Sequence, residues 1–180
     1  MISIRQALPE DLVKIQQTNL NNLPENYQLK YYYYHNMSWP TLTFLAENAE
    51  GKVVGYALIK MDEDSKIPFA HVTSISVLRT YRRLGVATKL LRSAENAMIE
   101  GYSAEYVTLH VRESNVAAIH LYQNTMGFVK MSTEKKYYAD GENAYVMQHN
   151  LTVDNLFNKD ESSVTLDDWK NKHPSPVKEQ

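Results

Sequence analysis

The residues whose types and spacing best suit chemistry are Arg82-Arg83-Leu84-Gly85-Val86-Ala87, which join an apolar run at 69–78 to an amphipathic stretch beginning at Val86. A strand, a glycine turn and a helix start leave backbone N–H groups without intrahelical partners, and the helix dipole adds positive potential there. Such a turn binds an anion, most simply a phosphate. Gly85 allows close backbone approach, and Arg82 and Arg83 suit a pyrophosphate or a nucleotide 3′-phosphate. Read alone, the segment is equally a basic turn capping an ordinary helix. It lacks the G-x-x-x-x-G-K-[ST] of a phosphate-binding Walker loop and the G-x-G-x-x-G of a dinucleotide fingerprint. The chain has no cysteine, which removes a thiol nucleophile and disulfides. With no H-E-x-x-H either, no metal site is expected.

Behind this turn stand the elements that must position it. Ile2 and Ile4 alternate with polar neighbours, so residues 2–6 read as a strand. Pro9-Glu10-Asp11 opens a helix that Leu12, Ile15 and Leu20 continue to Asn21-Asn22. Leu23 to Tyr27 contains a proline and reads as a loop, and 28–37 as a second helix stopped before Pro40. Residues 42–47 and 53–61 form a hairpin across Asn48 to Lys52. A charged loop, 61–66, precedes the strand 69–78. Val86, Leu90, Leu91, Ala94, Ala97 and Met98 place one apolar stripe on a helix over 86–100. A strand at 106–111, a helix at 116–125, a strand at 128–133, a turn at Asp140-Gly141-Glu142 and a last strand at 144–151 follow. The order β-α-α-β-β-β-α-β-α-β-β predicts an α/β fold, a mixed sheet with helices on both faces.

At 180 residues the chain suits one domain, 1–151, and a polar tail, 152–180, that reads as mobile. Leu156, Phe157, Leu166 and Trp169 give that tail some capacity to dock. Nineteen Lys and Arg against 21 Asp and Glu offer no basic field for nucleic acid. No apolar run approaches membrane-spanning length, and the strand-like start Met1-Ile2-Ser3-Ile4-Arg5 is unlike a signal peptide.

Arg82-x-x-Gly85-x-Ala87 resembles the R/Q-x-x-G-x-G/A acetyl-CoA signature of the GNAT superfamily of N-acetyltransferases. Asn115 to Tyr122, followed by Gly127-Phe128, is similar to that fold's second marker. The likeness narrows further. Leu23-Pro24-Glu25-Asn26-Tyr27, Tyr31-Tyr32, Ser38-Trp39-Pro40, Leu109-His110-Val111-Arg112 and Lys136 to Glu142 resemble the catalytic subunits of the eukaryotic N-terminal acetyltransferase A complex (NatA). This resemblance covers about residues 1–151. It implies a mostly antiparallel GNAT sheet and transfer of acetyl from acetyl-CoA directly to the α-amine of protein N-termini, without a metal.

The resemblance also implies roles. Cofactor contacts fall on Ile75, Ser76 and Val77 of the strand before the turn, on Arg82 and Arg83, on Leu84, Gly85, Val86, Ala87 and Thr88, and on Asn115 and Tyr122. Backbone N–H groups near 75–77 would polarise the carbonyl in the manner of an oxyanion hole. An α-amine with a pKa of about 7.7–8.0 is only partly neutral at cellular pH, so a base is needed. Glu25 and His110 are the candidates, with His71 behind them, and Tyr122 would give the leaving thiolate a proton or a hydrogen bond. Leu23, Glu25, Tyr27, Arg112, Tyr137 and Tyr138 would contact the peptide. Each has a plainer alternative. Glu25 could cap the second helix, the histidines could be satisfied core residues, Tyr122 could pack the core and Asn115 could cap its helix. The tyrosine pair could pack a hairpin, and Arg112, which at the site would hold Glu25 or an acidic substrate group, could simply face solvent.

Leu12, Leu20, Leu29, Tyr31, Tyr33, Tyr34 and Met37 are either core or a partner surface. The resemblance implies a large helical auxiliary subunit there, an anchor at the ribosome, and a cytoplasmic location with a nuclear pool also in keeping. It implies small N-termini as substrates with the partner and acidic ones without it. Two other readings stay open: transfer to lysine or a small amine, for which no acidic cluster is evident, and a non-catalytic acetyl-CoA-binding subunit.

Overall fold

The computed structural model describes residues 1–62 and 64–151; the expected tail, 152–180, lies outside them. Two compact units are present. The first holds residues 1–109 with the end of the last strand, and the second begins at His110 and runs to His149.

In the first unit, β1 (Ile2–Gln6), β2 (Thr43–Asn48), β3 (Val53–Asp62), β4 (Phe69–Val77) and the start of β5 (Tyr106–Arg112) lie side by side in that order. The first three pairings are antiparallel and β4 pairs parallel with β5. β3 is apolar almost throughout because both of its faces are covered. Tyr56 and Leu58 join Leu12, Ile15 and Tyr32 in one core cluster on the side of α1 (Leu12–Asn22) and α2 (Leu29–Ser38). On the opposite face Gly55 meets Leu90 of α3 (Val86–Tyr102), where an added Cβ would lie 3.0 Å from the Ser76 carbonyl. The α3 stripe is buried at Val86, Leu90, Leu91, Ala94 and Met98, as the 3.6-residue period requires.

Helix α1 is preceded by a 3₁₀ turn at Pro9–Asp11. The expected single helix therefore begins tighter than an α-helix. Asp11 explains the turn: its carboxylate accepts the Leu8 N–H at 2.9 Å and two bonds from Arg5, at 2.6 and 3.0 Å. These bonds hold its pKa below the ordinary value, with Arg5 the leading cause.

The second unit contains the end of β5, α4 (Val116–His120), β6 (Val129–Glu134) and β7 (Ala144–Asn150), with strand order β5-β7-β6 and an antiparallel β6–β7 pair. The expected helix over 116–125 is only half α. From Leu121 to Thr125 it widens into a π turn, closed by the Met126 N–H on the Leu121 carbonyl at 3.1 Å. β7 ends at Asn150, one residue before the expected limit, although the Leu151 N–H still donates to the Glu105 carbonyl at 2.7 Å.

Candidate active site

The chemistry begins where β4 stops being regular. Its ladder with β5 runs from Phe69–Tyr106 to Val72–Leu109. The register against β3 then slips: Ser74 pairs with Leu58 and Val72 with Ile59, so Thr73 is an extra residue. A bulge of this kind bends a strand and re-aims its groups. From Thr73 to Val77, the ladder described in this unit is with β3 alone. In an antiparallel ladder, residues alternate in turning their N–H and C=O groups towards and away from the partner. Ile75, Ser76 and Val77 lie on this stretch.

Beyond β4 the chain turns through Arg83 at φ 62° and Gly85 at φ 73° before α3 starts. An added Cβ at Gly85 meets no protein atom within 4 Å, so its left-handed φ, and not crowding, calls for glycine. No side chain caps the helix, which leaves the first N–H groups of Val86, Ala87 and Thr88 for an anion. Arg82 and Arg83 are exposed. Arg82 also has a local task, since its Nε donates to the Val77 carbonyl at 3.0 Å and ties the turn to the strand end. Uncapped amides, two left-handed residues and an adjacent strand edge fit the pyrophosphate and amide-bearing arm of coenzyme A. Among the described residues no group of three metal-ligating side chains occurs.

The loop between α1 and α2 is the other candidate surface of the first unit. Leu23, Glu25 and Tyr27 are half-buried, whereas Pro24, Asn26 and Gln28 are exposed. The three residues expected to contact peptide thus share an intermediate burial. Gln28, with no side-chain cap bond, starts α2, so Glu25 is not its cap. Tyr27 stacks on Tyr31 at 4.8 Å, and its hydroxyl points at the Thr73 carbonyl at 3.5 Å. Thr73 is also held from its side chain, with Oγ1 3.1 Å from His35 Nε2. His35 Nδ1 lies 3.1 Å from the Tyr31 carbonyl. A carbonyl only accepts, so Nδ1 carries the proton and Nε2 accepts from Thr73. Burial lowers the His35 pKa to about 4, which keeps the ring neutral. His71 Nδ1 meets Thr108 Oγ1 of β5 at 2.9 Å, a contact that suits a structural histidine.

Within the second unit, four expected residues cluster. The Arg112 guanidinium carbon lies 3.9 Å over the Tyr138 ring, and Nη1 donates to Asp140 and Glu142 at 2.7 Å each. Hydrogen bonds from Ser114 and then Arg112 lower the Glu142 carboxyl to about 2. His110 stacks on Tyr137 at 4.3 Å with its Nε2 3.2 Å from Glu134. Tyr122 is buried in the π turn, tilted against Phe128 at 5.7 Å. Burial, then Tyr138, raises its pKa, so the hydroxyl remains a donor. Asn115 caps α4 through Oδ1, which accepts the Ala118 N–H at 3.2 Å.

Sequence reasoning missed Thr73, His35, Asp140 and Glu142 as the groups that hold the expected ones. A bulge leaves no mark in periodicity, and the Asp140-Gly141-Glu142 segment read as a turn and as part of a resemblance, neither of which pairs its carboxylates with Arg112.

This fold and turn are those of the acetyltransferase (GNAT) family, to which the chain belongs; the family match spans residues 10–128. The mixed, mostly antiparallel sheet with its helices is the GNAT fold. The chain is 53% identical over 154 residues to the N-terminal acetyltransferase A complex catalytic subunit ard1 of Schizosaccharomyces pombe, covering 84% of this chain and 87% of that protein. It is 54% identical over 151 residues to the N-alpha-acetyltransferase daf-31 of Caenorhabditis elegans, covering 83% of each. Among solved structures, a chain of the NatC complex bound to Gag peptide and CoA superposes with a TM-score of 0.78 at 26% identity, covering 84% of this chain and 99% of that one.

Proposed function

We propose that this protein transfers the acetyl group of acetyl-CoA to the α-amine of protein N-termini. The observation that carries the acceptor class is that the chain is more than half identical to N-alpha-acetyltransferases over most of its length, with Leu23, Glu25 and Tyr27 of the α1–α2 loop partly exposed. Acetyl-CoA supplies an activated carbonyl as a thioester. The N–H groups from Arg83 to Thr88 hold its pyrophosphate, with Arg82 and Arg83 adding charge. N–H groups of Ile75 to Val77 bind the carbonyl oxygen as negative charge grows on it. Glu25 accepts the amine proton, with His110 acting through a water as the other route, and such a base contributes about 10²–10⁴-fold. Tyr122, protonated by virtue of its burial, donates to the departing sulfur. Asn115 contributes to the cofactor side from the start of α4. Leu23 and Tyr27 on the α1–α2 loop offer the peptide an apolar surface, as do Tyr137 and Tyr138 in the second unit, each tyrosine with a hydroxyl tip, and Arg112 steadies Tyr138.

The same reading makes the protein the catalytic subunit of a NatA-type complex, with a large helical auxiliary subunit, ribosome association and a cytoplasmic location. Exposed Leu20, Tyr34 and Met37 on α1 and α2 support a partner there. The test is acetylation of N-terminal peptides with varied first residues, with and without the auxiliary subunit, beside lysine peptides blocked at the α-amine. Selective α-amine turnover is expected, lowered about 10²-fold or more in Glu25→Gln. Preference for the blocked lysine peptides would overturn the acceptor assignment.

A further inference from the structure

Asn19 lies inside the molecule with no exposed surface, three residues from the end of α1. Its amide nitrogen makes two bonds. One goes to the Glu25 carbonyl at 3.1 Å and the other to the Tyr56 hydroxyl at 2.8 Å. The orientation of the amide follows from chemistry: a carbonyl can only accept, so Nδ2, and not Oδ1, faces Glu25. Oδ1 is left buried without a hydrogen-bond partner. A buried, unpaired amide oxygen costs stability, yet no apolar residue of that size could make the two bonds on the other side.

Tyr56, also fully buried, carries the connection across the sheet core. Its hydroxyl is 2.7 Å from Ser74 Oγ, and Ser74 is the residue directly after the Thr73 bulge. One unbroken chain of hydrogen bonds therefore links the backbone of Glu25 to the strand that proceeds through Ile75 to Val77. One turn earlier on α1, Gln16 Nε2 donates to the Tyr27 carbonyl at 3.2 Å. Alternate carbonyls of the loop are thus gripped by two amides of one helix. In an extended segment, gripping one set of carbonyls fixes the facing of the side chains between them.

Resting on the acceptor assignment above, we infer that Asn19, Tyr56 and Ser74 are positioning residues for acetyl transfer. They hold the Glu25 loop in register with the bulged half of β4, so that the base and the carbonyl-polarising amides keep a fixed separation. The geometry required for reaction is tight, and small misplacements far from the reacting atoms cost rate. None of the three need touch substrate.

The variants to make are Tyr56→Phe and Ser74→Ala, each the loss of one hydroxyl, and Asn19→Leu. For each, the KM for peptide, the KM for acetyl-CoA, kcat and the melting temperature are measured. Hydrogen exchange is followed at the amides of residues 23–28. The inference requires peptide kcat/KM to fall about tenfold in Tyr56→Phe, equivalent to about 1.4 kcal/mol, through a lower kcat, as the base and the amides lose their fixed separation, together with a higher peptide KM, as the loop loses its facing. The acetyl-CoA KM is unchanged and exchange at 23–28 is faster. Asn19→Leu combined with Tyr56→Phe is no worse than Asn19→Leu alone, because both cut one chain. A purely structural role would lower the melting temperature and the active fraction while leaving both KM values alone. That result, or wild-type exchange in the loop, overturns the inference. If the unaltered protein acetylates no N-terminal peptide, the acceptor assignment falls, and loop exchange in the variants still decides whether this chain of bonds holds the loop.

Discussion

Two buried residues show how environment assigns work to a side chain. The Tyr122 hydroxyl is kept protonated by burial, which suits a group that must give a hydrogen bond to a thiolate and never compete with it as an anion. Replacing Tyr122 by Phe keeps the ring that packs on Phe128 and removes only that bond. We expect kcat to drop about 10²-fold, at the lower end for a positioned acid, with acetyl-CoA affinity by calorimetry unchanged; equal kcat would assign Tyr122 to packing alone. His35 is the opposite case, a base kept neutral. Its pKa falls from 6.5 to about 4 through burial. Between those values the unfolded chain binds the proton and the folded one does not, so stability rises with pH across that window. From pH 6.5 down to about 4 this residue withdraws roughly 3 kcal/mol, at 1.36 kcal/mol per unit. Urea unfolding of the wild type and His35→Gln across that range should show a steeper fall in the wild type. Parallel curves would mean that His35 is already charged when folded.

At the scale of elements, α3 states its requirements at both ends. It starts after Gly85 at φ 73° and ends on Ser103 at φ 52°, where the Ala104 N–H reaches back to the Met98 carbonyl at 3.1 Å. This is the left-handed C-terminal closure that usually selects glycine. Gly85→Ala should cost about 1–2 kcal/mol from the left-handed conformation alone and weaken coenzyme A binding as the turn distorts. Ser103→Gly should raise stability, by less, because glycine's freedom in the unfolded chain offsets part of the relief. Thermal melts of the two variants should therefore move in opposite directions. Both signs follow from backbone angles that composition does not reveal. The order of elements was legible because each has a clean period: the alternating β1, the apolar β3 and the α3 stripe. Gly85 was legible because a lone glycine directly before an amphipathic run signals a tight turn into a helix. The bulge at Thr73 and the π turn at Leu121 were not, since each inserts one residue without changing residue type. Asn19 and Tyr56 were hidden for a related reason: in sequence they are an ordinary helix amide and one more aromatic in an apolar strand.

At the scale of the whole molecule, the question is why so much apolar surface stays outside. Tyr32 and Leu12 are fully buried, but Met37 is 80% exposed, Leu20 55% and Tyr34 54%, on the two helices that carry the Glu25 loop between them. The run Tyr31 to Tyr34 thus divides its labour, with Tyr32 in the core and Tyr33 and Tyr34 turned outward. Isolated exposed apolar residues are normal, but several on adjoining helices suit the partner surface proposed above. With a net charge of only −2, long-range attraction would contribute little to the proposed contact, which would draw on apolar burial. A methionine or leucine fully covered at such a contact is worth about 1.5–3 kcal/mol. Met37→Glu and Leu20→Glu should therefore each weaken binding of a helical auxiliary subunit by about tenfold or more, in pull-down or calorimetry. Neither side chain belongs to the core, so the melting temperature and the turnover of the isolated subunit on acidic N-terminal peptides should hold. Undiminished partner affinity in the double variant would move the interface off these helices. A loss of turnover in the isolated chain would mean instead that the outward faces of α1 and α2 already brace the loop that carries Glu25.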